Sequence, residues 1–285
     1  MATTTIDSYV RRRIPDLPAV TWLGLGILSI ALLVVAFGPL LVTHDPYQFS
    51  IRMNEPPNAD HWLGTDDKGQ DIYSRLLVGT RLSLFFGFSA ALIALAIGGL
   101  AALAALALGR VAETAVFAGI DLIRALPGIL FALAFVSAFE PGAASVIIAL
   151  GISFSPNFAL ITRATYKQQM ARPYTAAAFV LGASRLRIAL AHVLPNIAGA
   201  LITQFAIILP RCIVLESVLS FLGLGVSPET PTWGRMIANA TNYTEAAPHA
   251  VLLPILVLSI VTFALAIVGD ALRQRFDPAR RRISL

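Results

Sequence analysis

The groups able to do chemistry in this sequence are few and scattered. The single cysteine, Cys212, stands in an apolar run, so no intrachain disulfide and no cysteine-rich metal site can form. His44, His61, His192 and His249 lie far apart without metal-ligand spacing and read as isolated interfacial histidines, so no metal site is expected. No G-x-x-x-x-G-K-[ST] loop is present to cradle ATP phosphates, and no H-E-x-x-H, G-x-S-x-G or paired in-span carboxylates point to hydrolysis. No catalytic residue is therefore assigned. What remains is charge inside apolar stretches, which is costly in lipid and marks function by default. Asp121 and Arg124 are three apart, on one helix face. They read as a packing lock near the cytoplasmic end, with a gate as the alternative. Arg211 and Glu216 are five apart, roughly 140° around a helix, and should face different partners; either could line an aqueous path. Pro210 stands beside them as a candidate kink. Such residues suit a conduit rather than a catalyst.

The elements that must position these groups follow from composition. The chain has 285 residues, 57% hydrophobic and 13% charged, with mean hydropathy +0.76. A soluble domain carries about 25% charged residues, so one packed core in water cannot absorb this sequence. That excludes a soluble enzyme, a disordered chain and a nucleic-acid-binding domain, despite a net charge of +5. Six apolar stretches approach the roughly 20 residues that cross a bilayer: Val20–Val42, Leu82–Leu108, Thr114–Phe139, Ala143–Thr162, Asn196–Leu219 and Val251–Val268. The first is too long for a signal-peptide core and is read as a retained span. Lys and Arg set the orientation. With the N-terminus inside, 14 basic residues fall on inner segments and 5 on outer ones, while the outer stretch Asp45–Asp71 holds six acidic residues. The expectation is an all-α integral membrane protein with six transmembrane helices and both termini cytoplasmic. Its parts are a tail over 1–19, a first span over 20–42, an extracytoplasmic loop over 43–81 and a five-span unit over 82–285. That unit includes an inner loop over 163–195, an outer loop over 220–248 and a tail over 269–285.

The inner loop is long, and long ordered loops are usually functional. It carries five basic residues between Arg163 and Arg187 and no acidic one. Thr175–Leu181 is a good helix former, Gly182 permits a turn that residues with a Cβ resist, and Ser184 can cap a second short helix. Leu194-Pro195 is read as the end of the loop and the start of the fifth span. The pattern is helix, elbow, helix on the cytoplasmic face, where without a partner Phe179, Leu181, Leu186 and Ile188 would have only lipid headgroups or span ends to cover them. In the outer loop, Asp71 and Arg75 read as an i,i+4 pair on a helix entering the second span.

This inner loop resembles the EAA loop of ABC-importer permeases. Gly182, Ile188, His192, Leu194 and Pro195 fit that pattern, and Ala176 stands where the family has Glu. The resemblance implies an ATPase-coupling role for Tyr174, Ala176, Ala177, Gly182, Ala183, Ser184, Arg185, Arg187, His192 and Pro195. Further segments narrow it. His61-Trp62-Leu63-Gly64-Thr65-Asp66, with Gly69, Asp71, Ser74 and Arg75, is similar to the H-x-L-G-T-D-x-x-G-R-D-x-x-S-R signature of dipeptide, oligopeptide and nickel permeases of the second type, with Gln70 in place of Arg. Leu219-Ser220-Phe221-Leu222-Gly223-Leu224-Gly225 and Pro231-Thr232-Trp233-Gly234 resemble two more of its segments, and Gly269-Asp270-Ala271-Leu272-Arg273 with Asp277-Pro278 resembles its ending. The resemblance implies a type I ABC importer permease fold in a bacterial inner membrane and transport of peptides or nickel by alternating access. It also implies a homologous second permease, two ATPase subunits that bind ATP and Mg, and an extracytoplasmic substrate-binding protein. On that reading this chain binds no cofactor and no nucleic acid, and touches membrane lipid. The competing class is a gradient-driven secondary transporter or channel, in which Asp121 and Glu216 would relay protons.

Overall fold

The computed structural model describes residues 18–140 and 142–276, and every described element is helical. The tail arginines at 11–13 and 280–282 and the Asp277-Pro278 pair lie outside the described residues. Helix α1 (Ala19–Leu41) is apolar on all sides and only 17% of its most hydrophobic window is buried, as expected for a helix mostly facing lipid. Helix α2 (Ile72–Leu108) is 37 residues long and passes through a π-helical turn at Leu95–Leu100. That turn falls where α2 meets α5 (Ala143–Met170). A Cβ on Gly98 would clash with the Ser155 carbonyl, and one on Gly151 with Ile93. With no hydrophobic drive between helices in lipid, such backbone approach supplies the packing.

The span expected over Thr114–Phe139 is not one continuous helix. The chain forms α3 (Arg110–Arg124) and α4 (Gly128–Ala138), bent by 93°. Pro127 is the cause: it has no N–H for the preceding turn, its ring disfavours helix at Leu126, and its ψ of 133° turns the chain away. Eleven residues rise only about 16 Å, so α4 alone cannot cross. Five helices are long and apolar enough to span, or six if the bent pair counts as one.

Two further boundaries move. Helix α5 runs eight residues past Thr162, so Arg163 and Lys167 are helical rather than part of a loop. Short α6 (Pro173–Val180) follows, and then α7 (Arg185–Phe221), a single 37-residue helix. Pro195 therefore does not start the fifth span. The helix takes a π turn at Ala189–Val193 just before it, which makes room for the proline ring, and the Asn196 side chain donates to the His192 carbonyl at 2.6 Å. Helix α8 (Trp233–Ala240) lies in the outer loop, and α9 (Pro248–Phe276) closes the bundle.

Packing centres on α2, α5 and α7, where Ala90, Ala94, Leu150, Phe158, Ile197 and Ile208 are fully buried or nearly so. A second cluster sits toward the extracytoplasmic end around Ile72, Ile213, Trp233, Met236 and Ala250. Together they fix where the two long loops emerge.

Candidate functional site

The cytoplasmic loop is built from local rules. Pro173 occupies the first turn of α6, where its missing N–H costs nothing. The Thr175 hydroxyl lies 2.6 Å from the Arg172 carbonyl and 3.0 Å from that of Met170, tying α6 to the end of α5. Tyr174 donates to Gln169 Oε1 at 2.8 Å, and its ring lies 6.4 Å from that of His192, so it reaches toward both arms of the loop. At the far end the N–H of Ala183 bonds the Ala178 carbonyl (3.0 Å) and that of Gly182 bonds Phe179 (2.9 Å). This is a Schellman cap with Gly182 in the left-handed region, φ 83°. Ser184 Oγ then accepts from the Arg187 N–H at 3.3 Å and opens α7.

The knuckle so formed projects its tip outward. Val180 and Leu181 are 88% and 86% exposed; Phe179 and Leu186 are partly so. Ala176, Ala177, Ser184, Arg185 and Arg187 are exposed, Ala183 and His192 are half-buried, and Pro195 faces out from α7. Of the four apolar residues of the loop, Ile188 is fully buried in the main core, covered by the ends of the long helices.

The in-span charges behave differently from one another. Asp121 and Arg124 do meet, at 3.2 Å, yet their side chains are 66% and 50% exposed on the outer face of α3. Within this chain the pair is not a buried lock. Arg211 is exposed and lines a cleft of about 540 Å³ with Phe154, Pro210, Gly269 and Asp270. Glu216 points the other way and is fully buried, which corrects its reading as a path-lining group. It accepts from the Ser220 hydroxyl at 2.7 Å and from Ser217 at 3.4 Å. Ser83 Oγ accepts from the Trp233 N–H at 3.1 Å, and Arg235 Nη1 donates to the Ser220 carbonyl at 3.3 Å, so α8 is clamped onto this same corner. Glu216 thus holds the turn after α7 in place.

Three clusters escaped sequence reasoning because their members are remote along the chain. Glu113 Oε1 lies 2.7 Å from Arg163 and 3.2 Å from Lys167, joining α3 to the cytoplasmic end of α5, and Arg163 covers the Phe117 ring at 4.3 Å. In the outer loop, Asp71 and Arg75 do not pair as expected. Asp71 caps α2 through Ser74 (2.8 Å) and meets His61 Nδ1 at 3.0 Å, while Arg75 turns to Asp66 (3.5 Å) and to the Pro46 carbonyl (2.8 Å). His44 and His61, read as isolated, have ring centroids 4.6 Å apart, and with Asp71 they bring ligand-type atoms within 4.8 Å of one another. Asp71 Oδ2 caps α2 and Oδ1 meets His61, so the group caps the helix and clasps the outer loop onto it. Beside it, the Asp67 carboxyl is held above the usual carboxylate range by burial and then by neighbouring Asp66, and its Oδ1 is buried without a partner.

The similarities to known proteins agree with one another over most of the chain. Residues 76–282 match the family described as the binding-protein-dependent transport system inner membrane component. The di/tripeptide transport system permease protein DppC of Pseudomonas aeruginosa is 38% identical over 265 residues, covering 90% of this chain and 88% of the relative. The glutathione transport system permease protein GsiD of Pectobacterium atrosepticum is 34% identical over 256 residues, covering 89% and 85%. A solved chain of the MetNI methionine ABC transporter, in an inward-facing crystal form, shares the fold at TM-score 0.58 and 16% identity, over 71% of this chain and 96% of that one. A bundle with a capped cytoplasmic knuckle, matched over most of its length by permeases, is therefore a multi-pass subunit that belongs to the inner membrane components of binding-protein-dependent transport systems, the permeases of ABC transporters.

Proposed function

We propose that this permease imports short peptides, of the di- or tripeptide or glutathione class, and that the knuckle at Gly182 is its coupling element. The observation that carries the coupling role is the Schellman-capped turn, which holds Val180 and Leu181 almost fully exposed beside Arg185 and Arg187. A tip that is apolar and rimmed by cations suits a cleft on a soluble partner better than solvent. In this reading two ATPase subunits bind ATP and Mg and receive the knuckle, with Tyr174, Ala176, Ala177, Ala183, Ser184, His192 and Pro195 forming its two arms. A homologous second permease supplies the other half of the pathway, and an extracytoplasmic binding protein delivers substrate. This chain binds no nucleotide and does no catalysis. Arg211, on the wall of a cleft, is the candidate pathway residue, and the exposed Asp121–Arg124 pair faces a neighbouring subunit. The peptide class rests on the named relatives; nickel is the side option.

The test is reconstitution of the chain with the products of its neighbouring genes in proteoliposomes. ATP without an ion gradient should drive uptake of labelled dipeptide or glutathione, and omission of the binding protein should abolish it. Uptake driven by a gradient without ATP, or uptake by this chain alone, would overturn the reading. Uptake of Ni²⁺ but no peptide would change the substrate class and leave the mechanism standing.

A further inference from the structure

A second recess, away from the Gly182 knuckle and from Arg211, opens toward lipid. It encloses about 780 Å³ between α1 and α2, with Leu209, Val261 and Leu265 at its back. Its walls are aliphatic and aromatic, apart from Arg81 and Tyr47. Along α1 the lining runs from Leu28 to Pro39, a rise of about 16 Å. That is about half of a hydrocarbon core roughly 30 Å thick, the depth of one leaflet. The register of α1 against α2 fixes which leaflet. Gly38, near the extracytoplasmic end of α1, packs on Leu77 of α2. The recess therefore occupies the outer half of the membrane.

Arg81 lies one turn below Leu77 on the same helix. It is exposed, and among the described residues it makes no hydrogen bond or ion pair. A guanidinium at this depth is costly unless it meets an anion or reaches the interface. Tyr47, 48% exposed, descends from the outer loop onto the same mouth. An apolar slot one leaflet deep with an unpaired guanidinium toward its outer end matches one amphiphile: an acyl chain below, a phosphate above. Guanidinium suits phosphate through two parallel charge-assisted hydrogen bonds. We infer that the groove between α1 and α2 is a binding site for an outer-leaflet phospholipid, with Arg81 and Tyr47 at its headgroup and the α1 face around Leu32 and Ala36 along its acyl chain. The lipid then fills the gap beside α1, a helix that among the described residues packs mainly on α2 and α9.

The experiment takes the tagged chain from native membranes with the subunits that co-purify, washes it in detergent, and reads retained phospholipid by native mass spectrometry. Rebinding is then measured in nanodiscs of phosphatidylethanolamine and phosphatidylglycerol. Wild type should keep one phospholipid per copy through the wash. Arg81→Gln should weaken retention about tenfold, the usual worth of a charge-assisted hydrogen bond, and Arg81→Lys should largely restore it. Ala36→Trp should displace the lipid with Arg81 intact; its side chain projects from the exposed face of α1, so assembly is retained even if Arg81→Gln fails to assemble. Wild type that keeps no lipid, or retention unchanged in Ala36→Trp, overturns the site. So does near-complete cross-linking of Ala36→Cys to another subunit, which would show the groove filled by protein.

Discussion

Replacing Gly182 by valine isolates the backbone of the knuckle. A Cβ built on Gly182 meets nothing within 4 Å, so the substitution creates no clash with neighbouring groups. The whole penalty comes from φ 83°, which a residue with a Cβ adopts at a cost of about 1–2 kcal/mol, and a β-branched one at the upper end. The two bonds of the cap, from Gly182 and Ala183 to Phe179 and Ala178, depend on that φ. A bias of about 2 kcal/mol changes the ratio of capped to uncapped knuckle roughly 30-fold, while the bundle, which the change does not touch, should insert as before. Peptide uptake should fall steeply in Gly182→Val and less in Gly182→Ala. Gly182→Asn should be mildest, because Asn tolerates the left-handed region. Complex yield, nucleotide hydrolysis stimulated by the binding protein, and uptake are the three measurements. Hydrolysis that no longer responds to substrate in an assembled complex is the expected signature. Normal uptake by Gly182→Val in an assembled complex would refute the coupling role of this turn.

Other outcomes follow from the same geometry. Asp121→Ala should change the thermal stability of the isolated chain by no more than about 1 kcal/mol, because the pair is exposed; a larger loss confined to the assembled complex would mean that a partner buries it. Glu216→Ala leaves the Ser220 and Ser217 hydroxyls without their acceptor in a buried corner and should cost about 1–3 kcal/mol, read as lowered melting temperature, with Glu216→Gln milder. Asp67 has a folded pKa raised above 3.8, so its neutral form favours the fold; that contribution is whole below the ordinary value and is lost as pH rises through the window just above it. Asp67→Asn should therefore melt higher than wild type at neutral pH, with the gap closing below pH 3.8; a gap independent of pH would refute the burial argument. Glu113→Gln should loosen α3 from α5 by removing the anion shared by Arg163 and Lys167, detected as faster hydrogen exchange at the cytoplasmic end of α5.

Composition alone determined that this is a membrane protein, charge placement gave the expected side for each loop, and the local residue pattern placed a glycine elbow between two helices of the inner loop. These are local or summed properties. Hydropathy adds along a window, basic residues are counted per loop, and a Schellman turn needs only a helix former followed by Gly182 and a cap at Ser184. The break at Pro127 was legible in principle, since a proline mid-stretch disfavours helix before it, but the hydropathy of Thr114–Phe139 is equally compatible with one crossing. Pro195 shows the opposite case: the same residue type sits inside a continuous helix, with a π turn just before it making room for its ring. Which outcome a proline takes depends on the helices packed around it.

Only the tertiary structure decided which charges meet. Arg75 was expected to serve Asp71 four residues earlier, yet the outer loop folds back and brings Asp66 to it and His61 to Asp71. Glu113 finds Arg163 fifty residues away, His44 stacks on His61, and Glu216 turns into the corner while Arg211 turns out to a cleft. Sequence spacing sets the angle between two side chains on one helix, but a buried charge takes the partner that most fully replaces its lost water. That partner is chosen by how the helices and the loop between them pack.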